Sequence, residues 1–127
     1  RSSTVAHEFG HYLSYVALLN YYQSSKLNYV TTGQASKLYN VYDDFNTGNF
    51  SRILLEEAYE EYIKVYGNNL TFLGFRESIS KYAVAKDNTG SYIYDETIAE
   101  AFHDCYINGN NAKPASRMIM KVLNTKL

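Results

Sequence analysis

The chain has 127 residues, which fit a single domain large enough to bury a hydrophobic core of its own. Apolar residues make up 46% of the sequence and charged residues 20%, values that are ordinary for a soluble globular chain. The net charge is −1 and lysine and arginine are not clustered, which argues against a surface that binds nucleic acid or an anionic membrane.

The first predicted helix runs from about Ser3 to Tyr22 and contains His7-Glu8-Phe9-Gly10-His11, an HExxH motif. On a helix, His7 and His11 lie one turn apart on the same face, so both imidazoles can bind one metal ion. Glu8 follows on an adjacent part of the surface, where it can act on a water rather than bind the metal. The motif therefore proposes two zinc ligands and a general base.

The same helix carries an apolar pattern and one unexpected glycine. The apolar residues that recur at helical spacing predict a buried stripe: Val5, Phe9, Tyr12, Leu13, Val16 and Leu19. Gly10 costs a helix about 1 kcal/mol relative to alanine, so we expect a reason for it. Close approach of another backbone, close approach of a substrate, and a tight helix crossing are the alternatives.

A loop over residues 24–34 and a helix over residues 34–45 are predicted next, followed by a turn at residues 46–49. Phe50 to Tyr66 has the pattern of a long helix that ends at Gly67-Asn68-Asn69. Four glutamates lie on one side of this helix: Glu56, Glu57, Glu60 and Glu61. A solvated helix face explains them better than a metal cluster does.

Residues 70–94 are less regular in pattern. Asn88-Thr89-Gly90 predicts a turn, and the flanking segments 82–85 and 91–94 are suited to pair as one short β-hairpin. The predicted fold is therefore mainly α, one domain over residues 1–127, with at most this hairpin.

Two more helices complete the chain. Asp95 is predicted to be the N-cap of a helix over Glu96–Ile107, which ends at Asn108-Gly109-Asn110. Pro114 suits the first turn of a last helix.

The third metal ligand separates the classes of zinc peptidase, whose sites have three protein ligands and one open position. A metzincin motif would require glycine at position 14 and histidine at position 17, where this chain has Ser14 and Ala17. The other common ligand is a glutamate from a second helix, and Glu96 and Glu100 share one face of the predicted helix. Glu96 is predicted to bind the metal, and Glu100 to accept the N–H of a liganding histidine.

Three neighbouring residues are weaker candidates. His103 has ExxH spacing with Glu100, but helix packing or an outer contact is its favoured role, and Asp104 is a lesser candidate of the same kind. Cys105 is the only cysteine, so no internal disulfide is possible, and no histidine–asparagine pattern supports it as a nucleophile.

HEFGH at residues 7–11, together with ETIAEAF at residues 96–102, resembles the gluzincin group of zinc peptidases. The sequence is similar in particular to the anthrax-lethal-factor-like branch and to zinc-peptidase-like domains at the ends of phage minor head proteins. The resemblance covers residues 4–15 and 78–123 and implies a zincin-like helical lobe. It implies that Glu96 is the third zinc ligand and that Glu100 takes the place of the family's second glutamate.

The family also places a tyrosine upstream of the second helix, where its hydroxyl helps to stabilise the oxyanion. Ile79-Ser80-Lys81-Tyr82-Ala83 resembles that stretch, so the resemblance nominates Tyr82. Tyr92 and Tyr94 remain alternatives, because residues 87–94 look like an insertion relative to the family.

The leading hypothesis is a zinc-dependent peptidase in which His7, His11 and Glu96 hold Zn²⁺. A metal-activated water would attack the scissile carbonyl, with Glu8 as general base and Tyr82 stabilising the oxyanion. The expected partners are a peptide or protein substrate and other domains of a phage or mobile-element protein, but neither nucleic acid nor a membrane. The alternatives are a non-catalytic helical module stapled by zinc, and a fold without metal.

The context of the motif helix predicts that the chain is a fragment of a longer protein. Such a helix in a zinc peptidase usually follows a sheet that holds the substrate, and here the motif lies almost at residue 1. No stretch approaches the ~20 apolar residues that span a bilayer, and no signal peptide is visible. With one cysteine, a cytoplasmic or virion-associated location is expected rather than a disulfide-rich secreted one.

Overall fold

A computed structural model of the chain describes residues 4–24 and 45–127. In this part of the chain the fold is mainly helical, which confirms the predicted class. The α-helices are α1 (Thr4–Ser24), α2 (Asn49–Tyr66), α3 (Phe72–Glu77), α4 (Tyr94–Asn108) and α5 (Pro114–Asn124). Short 3₁₀ turns span Lys81–Val84 and Gly109–Asn111. The predicted loop over residues 24–34 and helix over residues 34–45 lie almost wholly outside the described residues.

The core lies where α2, α4 and α5 pack together, with α1 lying across α4. Its largest fully buried apolar side chains come from every α-helix: Leu18, Leu54, Leu55, Phe75, Ile98, Ile119 and Leu123. Helix α5 begins with Pro114 in its first turn, as predicted, because proline lacks the N–H that a first turn leaves unpaired. Helix α2 ends at Gly67, whose φ of 90° lies in the region that favours glycine.

The apolar stripe predicted for α1 is wrong in its first half. Val5, Phe9 and Tyr12 are 84%, 47% and 58% exposed. The buried face consists instead of His7, Gly10, Ser14, Ala17 and Leu18. The segment is helical as predicted, but a different face of the helix is buried, because small and polar side chains, rather than large apolar ones, face α4.

Gly10 lies at a close crossing of α1 and α4. A Cβ atom added to Gly10 would stand 2.7 Å from Cα of Ala99 and 3.1 Å from Cβ of Phe102. Real side-chain carbons do not approach a backbone carbon so closely, since carbon pairs prefer about 3.5–4.0 Å. The structure therefore contains two of the explanations for this glycine, a tight helix crossing and the close approach of another backbone, that of Ala99.

The predicted hairpin is reduced to a single antiparallel bridge between Lys86 and Tyr92, beside the turn at residues 88–90. Within the described residues, segment 82–85 forms no strand, because most of it belongs to the 3₁₀ turn Lys81–Val84. The Ser80 hydroxyl accepts a hydrogen bond from the backbone N–H of Ala83 and so caps this turn.

The prediction that Asp95 caps the fourth helix is also wrong. Helix α4 begins two residues earlier than predicted, at Tyr94, with Ile93 in the cap position and no side-chain cap. Asp95 therefore lies in the first helical turn and is buried. No helix within residues 4–24 and 45–127 has both the length and the apolar character needed to cross a bilayer.

Candidate metal centre

Three side chains from α1 and α4 converge on one point. Nε2 of His7 lies 3.0 Å from Oε2 of Glu96, and Nε2 of His11 lies 2.9 Å from Oε1 of Glu96. The two Nε2 atoms lie 3.2 Å apart. Donors that share a tetrahedral metal with bonds of about 2.0–2.1 Å stand about 3.3 Å from one another. The three separations therefore fit the ligand shell of one metal ion to within a few tenths of an ångström.

The other nitrogen of each imidazole donates to a buried carboxylate. Nδ1 of His7 lies 2.7 Å from Oε2 of Glu100, and Nδ1 of His11 contacts Oδ2 of Asp95. A carboxylate only accepts, so each Nδ1 carries a proton, and Nε2 is the nitrogen that faces Glu96. A metal bound at Nε2 would use the tautomer with Nδ1 protonated, and the outer carboxylate fixes the orientation of that ring.

Both outer carboxylates are held in turn by serine hydroxyls. Ser80 Oγ donates to Oε1 of Glu100 at 2.8 Å. Ser51 Oγ, on α2, donates to Oδ1 of Asp95 at 3.1 Å and lies 3.4 Å from Ser14 Oγ on α1. Two elements outside the α1–α4 pair therefore contribute to the orientation of the imidazoles.

The charge of the cluster favours a cation. Asp95 and Glu100 are buried and Glu96 is partly buried, so three carboxylates surround two imidazoles. Burial lowers the pKa of His11, but its hydrogen bonds to Asp95 and Glu96 outweigh burial and raise that pKa to about 10. The hydrogen bond from His11 holds the pKa of Glu96 below its usual range. Buried carboxylates need a positive partner, and a divalent metal bound by the two histidines is one.

Glu8 lies at the solvent side of this cluster and is exposed. One ligand atom from each of His7, Glu8 and His11 lies within 4.8 Å of the other two, so this group can hold a metal ion. Glu96 is the better third ligand, because its oxygens approach both Nε2 atoms to within 3.0 Å. Glu8, exposed beside the two histidines, can contact a water at the metal.

Tyr82 borders a cavity that adjoins the metal cluster through Glu100. The cavity has a volume of about 320 Å³, and its wall includes Ser80, Tyr82, Glu100 and His103. Tyr82 is 44% exposed there. The alternative tyrosines pack elsewhere: Cζ of Arg76 lies 4.6 Å from the ring centroid of Tyr92 and 4.9 Å from that of Tyr94.

The weaker candidates have other environments. His103 lines the cavity beside Glu100. Asp104 accepts hydrogen bonds from the side chain of Asn108 and the backbone N–H of Lys113. Burial opposes ionisation of Asp104, but its hydrogen bonds outweigh burial and hold its pKa below the usual range. Burial and the neighbouring Asp104 raise the pKa of the Cys105 thiol to about 11, which disfavours the thiolate that a nucleophile requires.

Asp95 and Ser51 were not predicted as parts of the site. A signal for Asp95 was present, because two liganding histidines require two outer acceptors and only Glu100 had been assigned. Ser51 carried no such signal, since its contact with Asp95 depends on how α2 packs against α4.

Comparison with known proteins returned no match: no family model, no curated protein and no solved structure matches the chain. The resemblance to gluzincins therefore remains an expectation.

Proposed function

We propose that this domain binds Zn²⁺ through His7, His11 and Glu96 and hydrolyses peptide bonds. The observation that carries the proposal is the convergence of three donor groups at 2.9–3.2 Å. Glu8, exposed beside them, supplies the base that hydrolysis requires.

The chemistry of the donors favours zinc over the common hard cations. Two imidazoles and one carboxylate are a His₂Glu set, which is the ligand composition of catalytic zinc sites. Magnesium and calcium prefer shells made of oxygen atoms, and two nitrogen donors count against them. Three protein ligands also leave one position open, as catalytic sites do.

When bound, zinc would polarise a peptide carbonyl and acidify water at the site. The Glu8 carboxylate would remove a proton from that water and later deliver it to the leaving amine. The Tyr82 hydroxyl would donate a hydrogen bond to the negative charge that develops on the carbonyl oxygen, a type of contact that contributes about 2.7–4 kcal/mol elsewhere. Glu100 and Asp95 would hold the two imidazoles in their metal-binding tautomer.

A zinc staple in a phage or mobile-element structural protein is the second candidate. One observation favours it: the metal-facing side chains and their outer carboxylates all lie on α1 or α4, so a metal would hold these two helices together. A staple has no use for an exposed glutamate beside the metal, and structural sites rarely leave a position open. Peptide hydrolysis accounts for both features.

The substitution Glu8→Gln tests the proposal. It should leave zinc binding and fold intact while lowering hydrolysis of a mixed peptide library by about 10²–10⁴-fold, the usual contribution of a general base. Glu60→Gln, the same change at an exposed position of α2, is the matched control and should retain activity. Zinc content by atomic absorption and cleavage by mass spectrometry are the measurements.

Two outcomes would count against the enzyme. Equal cleavage by the wild type and Glu8→Gln would mean that this site is not the catalyst. Stoichiometric zinc in the wild type with no cleavage of any peptide would favour the staple.

A further inference from the structure

One hydroxyl group joins the 3₁₀ turn that carries Tyr82 to the outer partner of His7. Ser80 Oγ lies 2.8 Å from Oε1 of Glu100 and 3.2 Å from the backbone nitrogen of Ala83. A serine hydroxyl has one proton to donate. The Ala83 N–H only donates and an ionised carboxylate only accepts, so the Ser80 proton points to Glu100 and its lone pair to Ala83.

The 3₁₀ turn depends on side-chain hydroxyls because the hydrogen bonds within its own backbone are long. The Ala83 N–H to Ser80 carbonyl and Ala85 N–H to Tyr82 carbonyl distances are both 3.2 Å, at the upper limit for such bonds. Short 3₁₀ segments have poor hydrogen-bond geometry in general. The carbonyl of Ala83 also accepts a 2.5 Å hydrogen bond from the hydroxyl of Thr97, which is fully buried on α4. Both polar backbone groups of Ala83 are thus held by hydroxyls.

The contacts form an unbroken path to the metal-facing imidazole. One oxygen of Glu100 accepts from Nδ1 of His7 at 2.7 Å, and the other accepts from Ser80 at 2.8 Å. Glu100 is buried, so its carboxylate has little freedom to rotate away from either donor. A change in the orientation of His7 therefore moves the oxygen that holds Ser80.

We infer that Ser80 is a positioning residue that fixes the turn bearing Tyr82 to Glu100 and couples it to metal binding at His7. This inference rests on the proposed zinc-dependent hydrolysis. It assigns to Ser80 the task of setting where the Tyr82 hydroxyl stands relative to the substrate, without contact between Ser80 and substrate or metal.

The experiment compares Ser80→Ala with the wild type by hydrogen exchange and by zinc affinity. In the metal-free protein, Ser80→Ala should speed exchange of the Ala83 amide by roughly 2- to 10-fold, as expected for loss of one ordinary hydrogen bond. Zinc should slow that amide in the wild type and no longer do so in Ser80→Ala. Zinc affinity, from competition with a chelator, should fall by about 10-fold, the low end for loss of an outer contact.

Two further variants separate coupling from a general structural effect. Ser80→Thr keeps the hydroxyl and should restore both measurements. Ser78→Ala makes the same change two residues earlier, where the hydroxyl donates to the Phe75 carbonyl, and should leave both as in the wild type. In hydrolysis, Ser80→Ala should lower kcat with little change in KM, because Tyr82 acts on the transition state.

A double-mutant cycle tests the path without metal. Glu100→Ala should also speed exchange at Ala83, and Ser80→Ala combined with Glu100→Ala should add little to Ser80→Ala alone, because both remove one contact. Additive effects, or a zinc response at Ala83 that survives in Ser80→Ala, would overturn the inference. If Ser80→Ala does not fold, Ser80→Cys replaces it, since a thiol is only a weak donor. A wild type that binds no zinc would refute the proposed function, while the metal-free cycle would still test whether Ser80 fixes the turn to Glu100.

Discussion

Replacing Gly10 by alanine should weaken metal binding although no ligand is changed. The new Cβ would stand 2.7 Å from Cα of Ala99 and 3.2 Å from the carbonyl oxygen of Ala99. Backbone atoms cannot turn aside as a long side chain can. Restoring a carbon–carbon separation of 3.5–4.0 Å therefore requires α1 and α4 to move apart by about 1 Å.

A displacement of that size is large for a metal site but moderate for the core. Metal–ligand distances tolerate only about ±0.2 Å, and Glu96 on α4 faces His7 and His11 on α1 at 2.9–3.0 Å. We expect zinc affinity to fall by at least about 10-fold, comparable with loss of an outer contact. Overpacking lowers the free energy of unfolding by about 1–3 kcal/mol. The higher helix propensity of alanine offsets up to about 1 kcal/mol of this loss.

The assay is competition for zinc against a chromophoric chelator, combined with thermal unfolding of the metal-free protein. Gly74→Ala is the control: Gly74 lies in α3, and the three atoms nearest to its added Cβ would belong to the side chains of Thr71 and Leu70. This control should keep full zinc affinity. If Gly10→Ala bound zinc as tightly as the wild type and melted at a higher temperature, the close crossing would not be what aligns the ligands.

Three further expectations concern single side chains. Glu96→Ala should weaken zinc binding by more than Glu100→Ala, for which about 10–100-fold is expected, because loss of a ligand outweighs loss of an outer partner; the reverse order in a chelator competition would exchange the two roles. Asp95→Ala should also cost about 10–100-fold, since Asp95 contacts Nδ1 of His11, and an unchanged affinity would remove it from the site. Because the pKa of Cys105 is raised to about 11, its thiolate fraction at pH 8 is about 0.001, and iodoacetamide should label it about 100-fold more slowly than free cysteine. That rate should rise about tenfold per pH unit up to about pH 10, and labelling at the free-cysteine rate in folded protein would contradict the burial of this thiol.

Local periodicity explains which features were predictable from the sequence. The spacing of His7 and His11, and of Glu96 and Glu100, sets which side chains share a helix face, and the structure brings His7, His11 and Glu96 together. The start of α5 at Pro114 follows from a similarly local rule. These features depend on one helix at a time.

Features that depend on packing between elements were missed. The sequence predicts that the large apolar residues of α1 are buried. In the structure α4 packs against the face that contains Gly10, and Phe9 and Tyr12 are exposed as a result. Aspartate favours the N-cap position, so the sequence predicts a cap at Asp95, whereas the contact of Asp95 with His11 on another helix determines its role. A hydrophobic count cannot detect a helix interface that is stabilised by polar groups.

The two candidate functions differ in how many residues each explains. A staple requires the contacts between α1 and α4, and these account for His7, His11, Glu96, Asp95 and Glu100. It gives no reason for Glu8 to lie exposed within 4.8 Å of a ring nitrogen of each histidine, nor for Glu100 to hold the turn of Tyr82 through Ser80. Hydrolysis needs a base near the metal and a donor held at a fixed distance from it. The peptidase hypothesis therefore explains the contacts between α1 and α4 as the staple hypothesis does, and it also explains the position of Glu8 and the contact between Glu100 and Ser80.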